Sequence, residues 1–166
     1  PLGGCFGEEQ LPKLGGILAG SVVTLWARAE VRDTSLLRVA GSKGTLAVHP
    51  QVAQERISDP VAWIAEAARN GIFKAEMSAA RIGDFAMVGI PGELSSVLGR
   101  TVKDSSKFRF VCPVGLANGY TGYLLSRKAL RRGGYEADPS YWSLAAPGAA
   151  EKIVRRAQAL LAGLEA

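Results

Sequence analysis

Two apolar segments of strand length, each running into a glycine-bearing turn, constrain this chain more than any other feature. Residues 85–90 (Phe-Ala-Met-Val-Gly-Ile) end at Pro91-Gly92, and residues 108–114 end at the glycine-rich stretch 115–122. Between them Leu94, Val97, Leu98 and Val102 recur at helical spacing. Strands that alternate with helices in this way argue for α/β layering. Residues 85–90 are apolar enough to predict burial on both faces.

The rest of the chain extends this pattern. Leu14, Ile17, Leu18, Val22, Leu25 and Trp26 share a helical face, which predicts an amphipathic helix. Residues 35–40 and 45–49 are β-like and flank Gly41-Ser42-Lys43-Gly44, which predicts a hairpin. Asp59-Pro60 reads as a helix N-cap with Pro in the first turn, and Asn70-Gly71 as that helix's end. Residues 73–81 pair with residues 85–90 around Gly83-Asp84 as a second hairpin. A short basic helix over residues 126–132 leads to Gly133-Gly134. Ile153, Val154, Ala157, Leu160, Leu161 and Leu164 mark a strong closing helix. The fold class is α/β, with a mixed β-sheet and flanking helices. Residues 1–166 read as a single domain, because no repeat or linker divides them.

The bulk numbers set broad limits. A chain of 166 residues that is 48% apolar and 21% charged has the balance of a folded domain. Its net charge of +5 favours anionic partners. The basic residues do not form a run that reads as a nucleic-acid footprint, and nucleic acid is not expected as a partner. The densest basic segment, Arg127-Lys128-Ala129-Leu130-Arg131-Arg132, reads as a solvated helix face. Cys5 and Cys112 are the only cysteines, too few for a disulfide framework. Cys112 sits in an apolar strand and reads as a small core residue. The uncharged stretch 14–27 is too short to span a bilayer. The chain opens at Pro1 with neither Met nor a leader, so a fragment or processed product is expected.

Three segments could carry chemistry. In Gly89-Ile90-Pro91-Gly92-Glu93 a buried strand ends in a tight turn, and a carboxylate stands at the expected start of the next helix. Ligand sites gather at the carboxyl ends of strands in open α/β sheets, and helix N-termini favour carboxylates. The plainer reading is that Glu93 caps its helix. The second segment, residues 114–123, also follows a strand and combines glycines with Asn118, Tyr120 and Tyr123. The third is Gly134-Tyr135-Glu136-Ala137. Tyrosines in such loops most often pack, with the hydroxyl satisfied by backbone. His49 is the only histidine and cannot build a histidine zinc site alone. The glycines at 115, 119 and 122 match neither a dinucleotide fingerprint nor a phosphate loop.

Taken in order, Arg81-Ile82-Gly83-Asp84, Val88-Gly89-Ile90-Pro91-Gly92-Glu93, the segment 115–123 and Gly134-Tyr135-Glu136 resemble the neutral/alkaline non-lysosomal ceramidase family. The resemblance is closest to the compact bacterial ceramidase-like members and covers most of the chain. The twelve-residue step from Tyr123 to Tyr135 is also the step between that family's active-site tyrosines.

The resemblance implies the C-terminal part of a catalytic domain that cleaves the N-acyl bond of ceramide or a related N-acyl lipid with a zinc-activated water. By position, Glu93 and Tyr123 would be zinc ligands. Tyr123 and Tyr135 would be catalytic, with Tyr135 placed to hydrogen-bond the amide or the developing oxyanion. Asn118 and Tyr120 would support the loop. The family's two histidine ligands come from its N-terminal half, which becomes the expected partner, and His49 matches neither. The resemblance also implies contact with a membrane surface and is compatible with a secreted or periplasmic location. The segment 124–134 is more basic than the family's version, which leaves the substrate open. The rival reading is a non-catalytic truncated domain that acts as a binding or interaction module.

Overall fold

The computed structural model describes residues 7–30, 38–48, 73–138 and 142–165. His49 and the helix expected from Asp59 to Arg69 lie outside the described residues. The chain divides into two compact units, Pro1–Leu36 and Leu37–Ala166.

The described part of the first unit, residues 7–30, is essentially one helix. A single 3-10 turn, Glu8–Gln10, leads into α1, Leu11–Ala27, with Pro12 in its first turn. That position suits Pro because the first N–H groups of a helix have no internal partner. Ser21 and Thr24 return their hydroxyls to the carbonyls of Ile17 (3.0 Å) and Gly20 (2.8 Å). No residue of α1 is buried.

The second unit holds a four-stranded mixed sheet in the order β1-β2-β3-β5. Its strands are β1 (Val39–Val48), β2 (Phe73–Ile82), β3 (Phe85–Gly89) and β5 (Phe110–Val114). β1 and β3 flank β2 antiparallel, and β5 joins β3 in parallel. The parallel pair requires a crossover, which α2 (Ser96–Asp104) provides. A second sheet of two short parallel strands, β4 (Glu93–Leu94) and β6 (Tyr123–Leu124), lies beyond the first. Then come α3 (Arg127–Arg132), a 3-10 turn at Tyr135–Ala137 and the closing helix α4 (Ala149–Ala162).

The core lies on one face of the larger sheet. Ala75, Met77 and Ala79 of β2 and Ala86 and Val88 of β3 meet Ile153, Ala157, Leu160 and Leu161 of α4. Each fully buried side chain of Ile or Leu size contributes ~1.5–3 kcal/mol by leaving water. Leu98 and Val102 join the core from α2. Arg81 ties the β2–β3 turn to the end of α4. Its guanidinium donates to the carbonyls of Gly83 (2.9 Å) and Leu164 (2.8 Å) and lies 4.8 Å from the Phe108 ring centroid. Gly83 takes φ 57° there, a conformation that favours glycine.

Several expectations are corrected. Gly41–Gly44 is not a turn. β1 runs straight through it, pairing Gly41 with Ala80 and Gly44 with Met77. A Cβ on Gly44 would run into the Arg156 guanidinium, so glycine serves close approach rather than chain reversal. β3 is buried on one face only, because Phe85 and Met87 alternate outward. β5 is the edge strand, and Phe110 and Val114 are exposed. Cys112 is likewise exposed, not a core residue. Val97 is 71% exposed and does not share the face of Leu98 and Val102. Leu94 belongs to β4, one residue before the Ser95 N-cap of α2.

Candidate functional site

The site is built where the turn after β3 meets the loop after β5. Ile90 N–H donates to the Val114 carbonyl (2.8 Å), extending the β3–β5 ladder by one step. The loop then folds back on the turn. Leu116 N–H donates to Gly92 O (3.1 Å) and Ala117 N–H to Ile90 O (3.0 Å). Thr121 donates twice to Pro91 O, from its N–H (2.7 Å) and its hydroxyl (2.6 Å). That satisfies a threonine that is only 2% exposed. A Cβ on Gly92 would stand 2.6 Å from both Gly122 O and Thr121 Oγ1, so only glycine allows this approach. Leu116 (φ 56°) and Asn118 (φ 64°) take left-handed conformations in the loop. The Asn118 amide donates to Ser78 Oγ (2.8 Å) and ties the loop to β2. Tyr120 is partly exposed on the same loop.

This clamp sets β4 beside β6. Glu93 N–H donates to Gly122 O (3.0 Å) and Ser95 N–H to Leu124 O (3.1 Å). In the resulting parallel register Glu93 is opposite Tyr123. Residues directly opposite in a sheet project to the same face. Glu93 is therefore a strand residue, not the first residue of a helix as the sequence implied. It does not cap α2, whose N-cap is Ser95.

Aromatic rings extend the site. The Tyr123 and Tyr135 rings meet edge to face, centroids 6.1 Å apart at 71°. Tyr135 stacks on Trp142, centroids 5.3 Å apart at 13°. Trp142 holds both tyrosines through its peptide neighbours as well. Its indole N–H donates to Tyr135 O (3.3 Å), and its carbonyl accepts from Tyr123 N–H (2.7 Å). Tyr135 itself is 63% exposed, so its ring is open to a ligand. It borders an open depression of about 480 Å³ lined by Gly133, Gly134, Tyr135, Ala137 and Asp138. Sequence reasoning missed Trp142. Its only local signal is an aromatic residue seven positions past Tyr135.

The electrostatics are acidic. Burial pushes the Tyr123 phenol above its ordinary 10.0, and the nearby Glu93, Tyr135 and Glu136 push it further in the same direction. Neither the Glu93 carboxylate nor the Tyr123 hydroxyl finds a hydrogen-bond partner among the described residues. Glu93 and Tyr123 thus present two oxygen-bearing side chains to the same face of the small sheet, with Glu136 nearby. Among the described residues no group of three or more His, Cys, Asp or Glu could hold a metal ion. A complete ligand set would need donors from elsewhere. Among the same residues no helix is long and apolar enough to cross a membrane.

No family model matches the chain. No curated protein matches it either. Solved structures that resemble it include a neutral ceramidase from Pseudomonas aeruginosa and a ceramidase complexed with C2. Each is 24% identical with a TM-score of 0.47, over 57% of this chain. The chain spans 15% of the length of either structure.

Proposed function

We propose that this chain supplies the carboxylate and phenol of a zinc-dependent amide hydrolase resembling neutral ceramidase. The bond cleaved is the N-acyl bond of ceramide or a related N-acyl lipid. The observation that carries the proposal is the register of β4 and β6, which puts Glu93 opposite Tyr123. The ordered motifs that resemble the ceramidase family add to it.

In this reading Glu93 and Tyr123 hold the metal. Zinc, when bound, supplies Lewis acidity and a coordinated water of near-neutral pKa. Tyr135 donates a hydrogen bond to the substrate's carbonyl oxygen, where negative charge develops as water adds to the amide carbon. Trp142 keeps the Tyr135 ring upright by stacking. The Thr121–Pro91 clamp fixes the spacing of the two strands. The histidine ligands come from an N-terminal half of the catalytic domain, so the chain alone has little activity.

The test is hydrolysis of N-acyl substrates by the full-length gene product, before and after chelation, with zinc added back. Activity that is lost on chelation and restored by zinc supports the proposal. Activity indifferent to both contradicts it.

A second reading, a non-catalytic interaction module, draws on the uncovered face of the larger sheet, where Phe85, Met87, Phe110 and Val114 are exposed. It predicts no hydrolysis under any metal condition.

A further inference from the structure

The helix α3 is bracketed by the two site tyrosines. It begins four residues after Tyr123 and ends three before Tyr135, and those rings are 6.1 Å apart. Six helical residues are ~9 Å long, and α3 packs against the 3-10 turn that carries Tyr135. Ser126 caps the helix by accepting from Ala129 N–H (3.2 Å), and Gly133 and Gly134 turn the chain out of it at φ 78° and 114°. The loop is thus defined at both ends.

Its charge is one-sided. Arg127, Lys128, Arg131 and Arg132 are exposed, and the segment 124–135 has no acidic residue. The spacing creates two like-charge i, i+4 pairs, 127 with 131 and 128 with 132, which costs stability. The helix dipole accounts for cations at the C-terminal end but opposes Arg127 and Lys128 in the first turn. Arg127 has a structural task. Its guanidinium lies over Gly148, while its backbone N–H donates to the Glu151 carboxylate (2.9 Å). Lys128, Arg131 and Arg132 have none. They make no ion pair among the described residues, although Glu136 and Asp138 follow closely in the chain. The acids gather at the tyrosines and the bases stay on the helix.

We propose that Lys128, Arg131 and Arg132 bind an anionic group carried by the substrate itself, a carboxylate or phosphate on the amine side of the N-acyl bond. This rests on the hydrolase reading above and narrows its substrate class. An N-acyl amphiphile would place its amide against Tyr135 and its anion on α3, bridging the two zones of opposite charge.

The experiment compares N-lauroylglycine, N-lauroyl-phosphoethanolamine and neutral N-lauroylethanolamine with the zinc-loaded full-length protein. The two anionic substrates separate carboxylate from phosphate as the preferred group. Replacing Lys128, Arg131 and Arg132 together by Ala is expected to raise KM for an anionic substrate about tenfold, the sum of three exposed charge contacts, with kcat unchanged. KM for the neutral substrate stays constant. Added salt reproduces the effect in the unaltered protein and not in the variant. Lys replacement of Arg131 and Arg132 retains most of the discrimination. Lys128→Ala alone gives the same direction at smaller size should the triple variant fold poorly.

Equal change with all three substrates, or with none, overturns the proposal. So does an effect that appears only on anionic vesicles regardless of substrate, which would make α3 a membrane contact. If the unaltered protein hydrolyses nothing, the hydrolase reading fails, and binding of fluorescent N-lauroylglycine decides this one separately. Weaker binding to the triple variant upholds it, and unchanged binding overturns it.

Discussion

Glu93 and Tyr123 stand opposite each other on the parallel strands β4 and β6. Chain proximity does not bring them together. Thr121 does, by donating both its N–H and its hydroxyl to the Pro91 carbonyl and locking the glycine-rich loop onto the turn that precedes Glu93.

Gly92→Ala is expected to destabilise the second unit by about 1–3 kcal/mol, the usual cost of overpacking a tight contact. The added methyl would meet a backbone oxygen, Gly122 O, which cannot swing aside as a flexible side chain can. Urea unfolding checks this. A midpoint equal to that of the unaltered protein would mean that the turn and loop are not in contact.

Trp142→Ala removes the ring that stacks on Tyr135 and the N–H that donates to its carbonyl. The stack is worth ~0.5–1.5 kcal/mol beyond buried area. Trp142→Phe keeps a ring there and loses only the N–H. The expected order of thermal midpoints is unaltered protein, then Phe, then Ala, with turnover of an N-acyl substrate following the same order. Turnover unchanged in the Ala variant would separate Trp142 from the site.

Glu165 sets an acid-sensitive contribution. Its carboxylate accepts from Lys107 N–H (2.8 Å) and the Ser106 hydroxyl (3.1 Å) and lies 3.9 Å from the Lys107 ammonium. The Lys107 N–H does most to hold its pKa below the ordinary 4.5. Burial opposes that shift, and the Ser106 hydroxyl and Lys107 charge assist it. A folded pKa below the unfolded one stabilises fully above the unfolded value, and the gain disappears as pH falls through the folded value. The stability difference between the unaltered protein and Glu165→Gln should therefore be constant well above the ordinary 4.5 and shrink as pH falls below it. A difference independent of pH would contradict the assignment.

Local pattern made part of this structure legible. The β2–β3 hairpin announces itself through Gly83-Asp84, the basic helix through Ser126 and Gly133, and α4 through its apolar face from Ile153 to Leu164. The mixed α/β class follows from the same signals. What was misread depends on contacts distant in sequence. Gly41–Gly44 carries the composition of a turn, yet ten register pairs with β2 hold it extended. Cys112 and Phe110 have the apolarity of a core strand, but β5 is at the edge of the sheet. Glu93 follows Pro-Gly as a helix start would, and only pairing with β6 makes it a strand residue. Trp142 enters the site through stacking, which no spacing rule encodes.

The most direct test of the central claim is the zinc content of the full-length protein after dialysis, compared with Glu93→Ala and Tyr123→Phe. The account predicts stoichiometric zinc in the unaltered protein and loss of most of it in each variant, with far-UV circular dichroism unchanged. Normal zinc in both folded variants would contradict it.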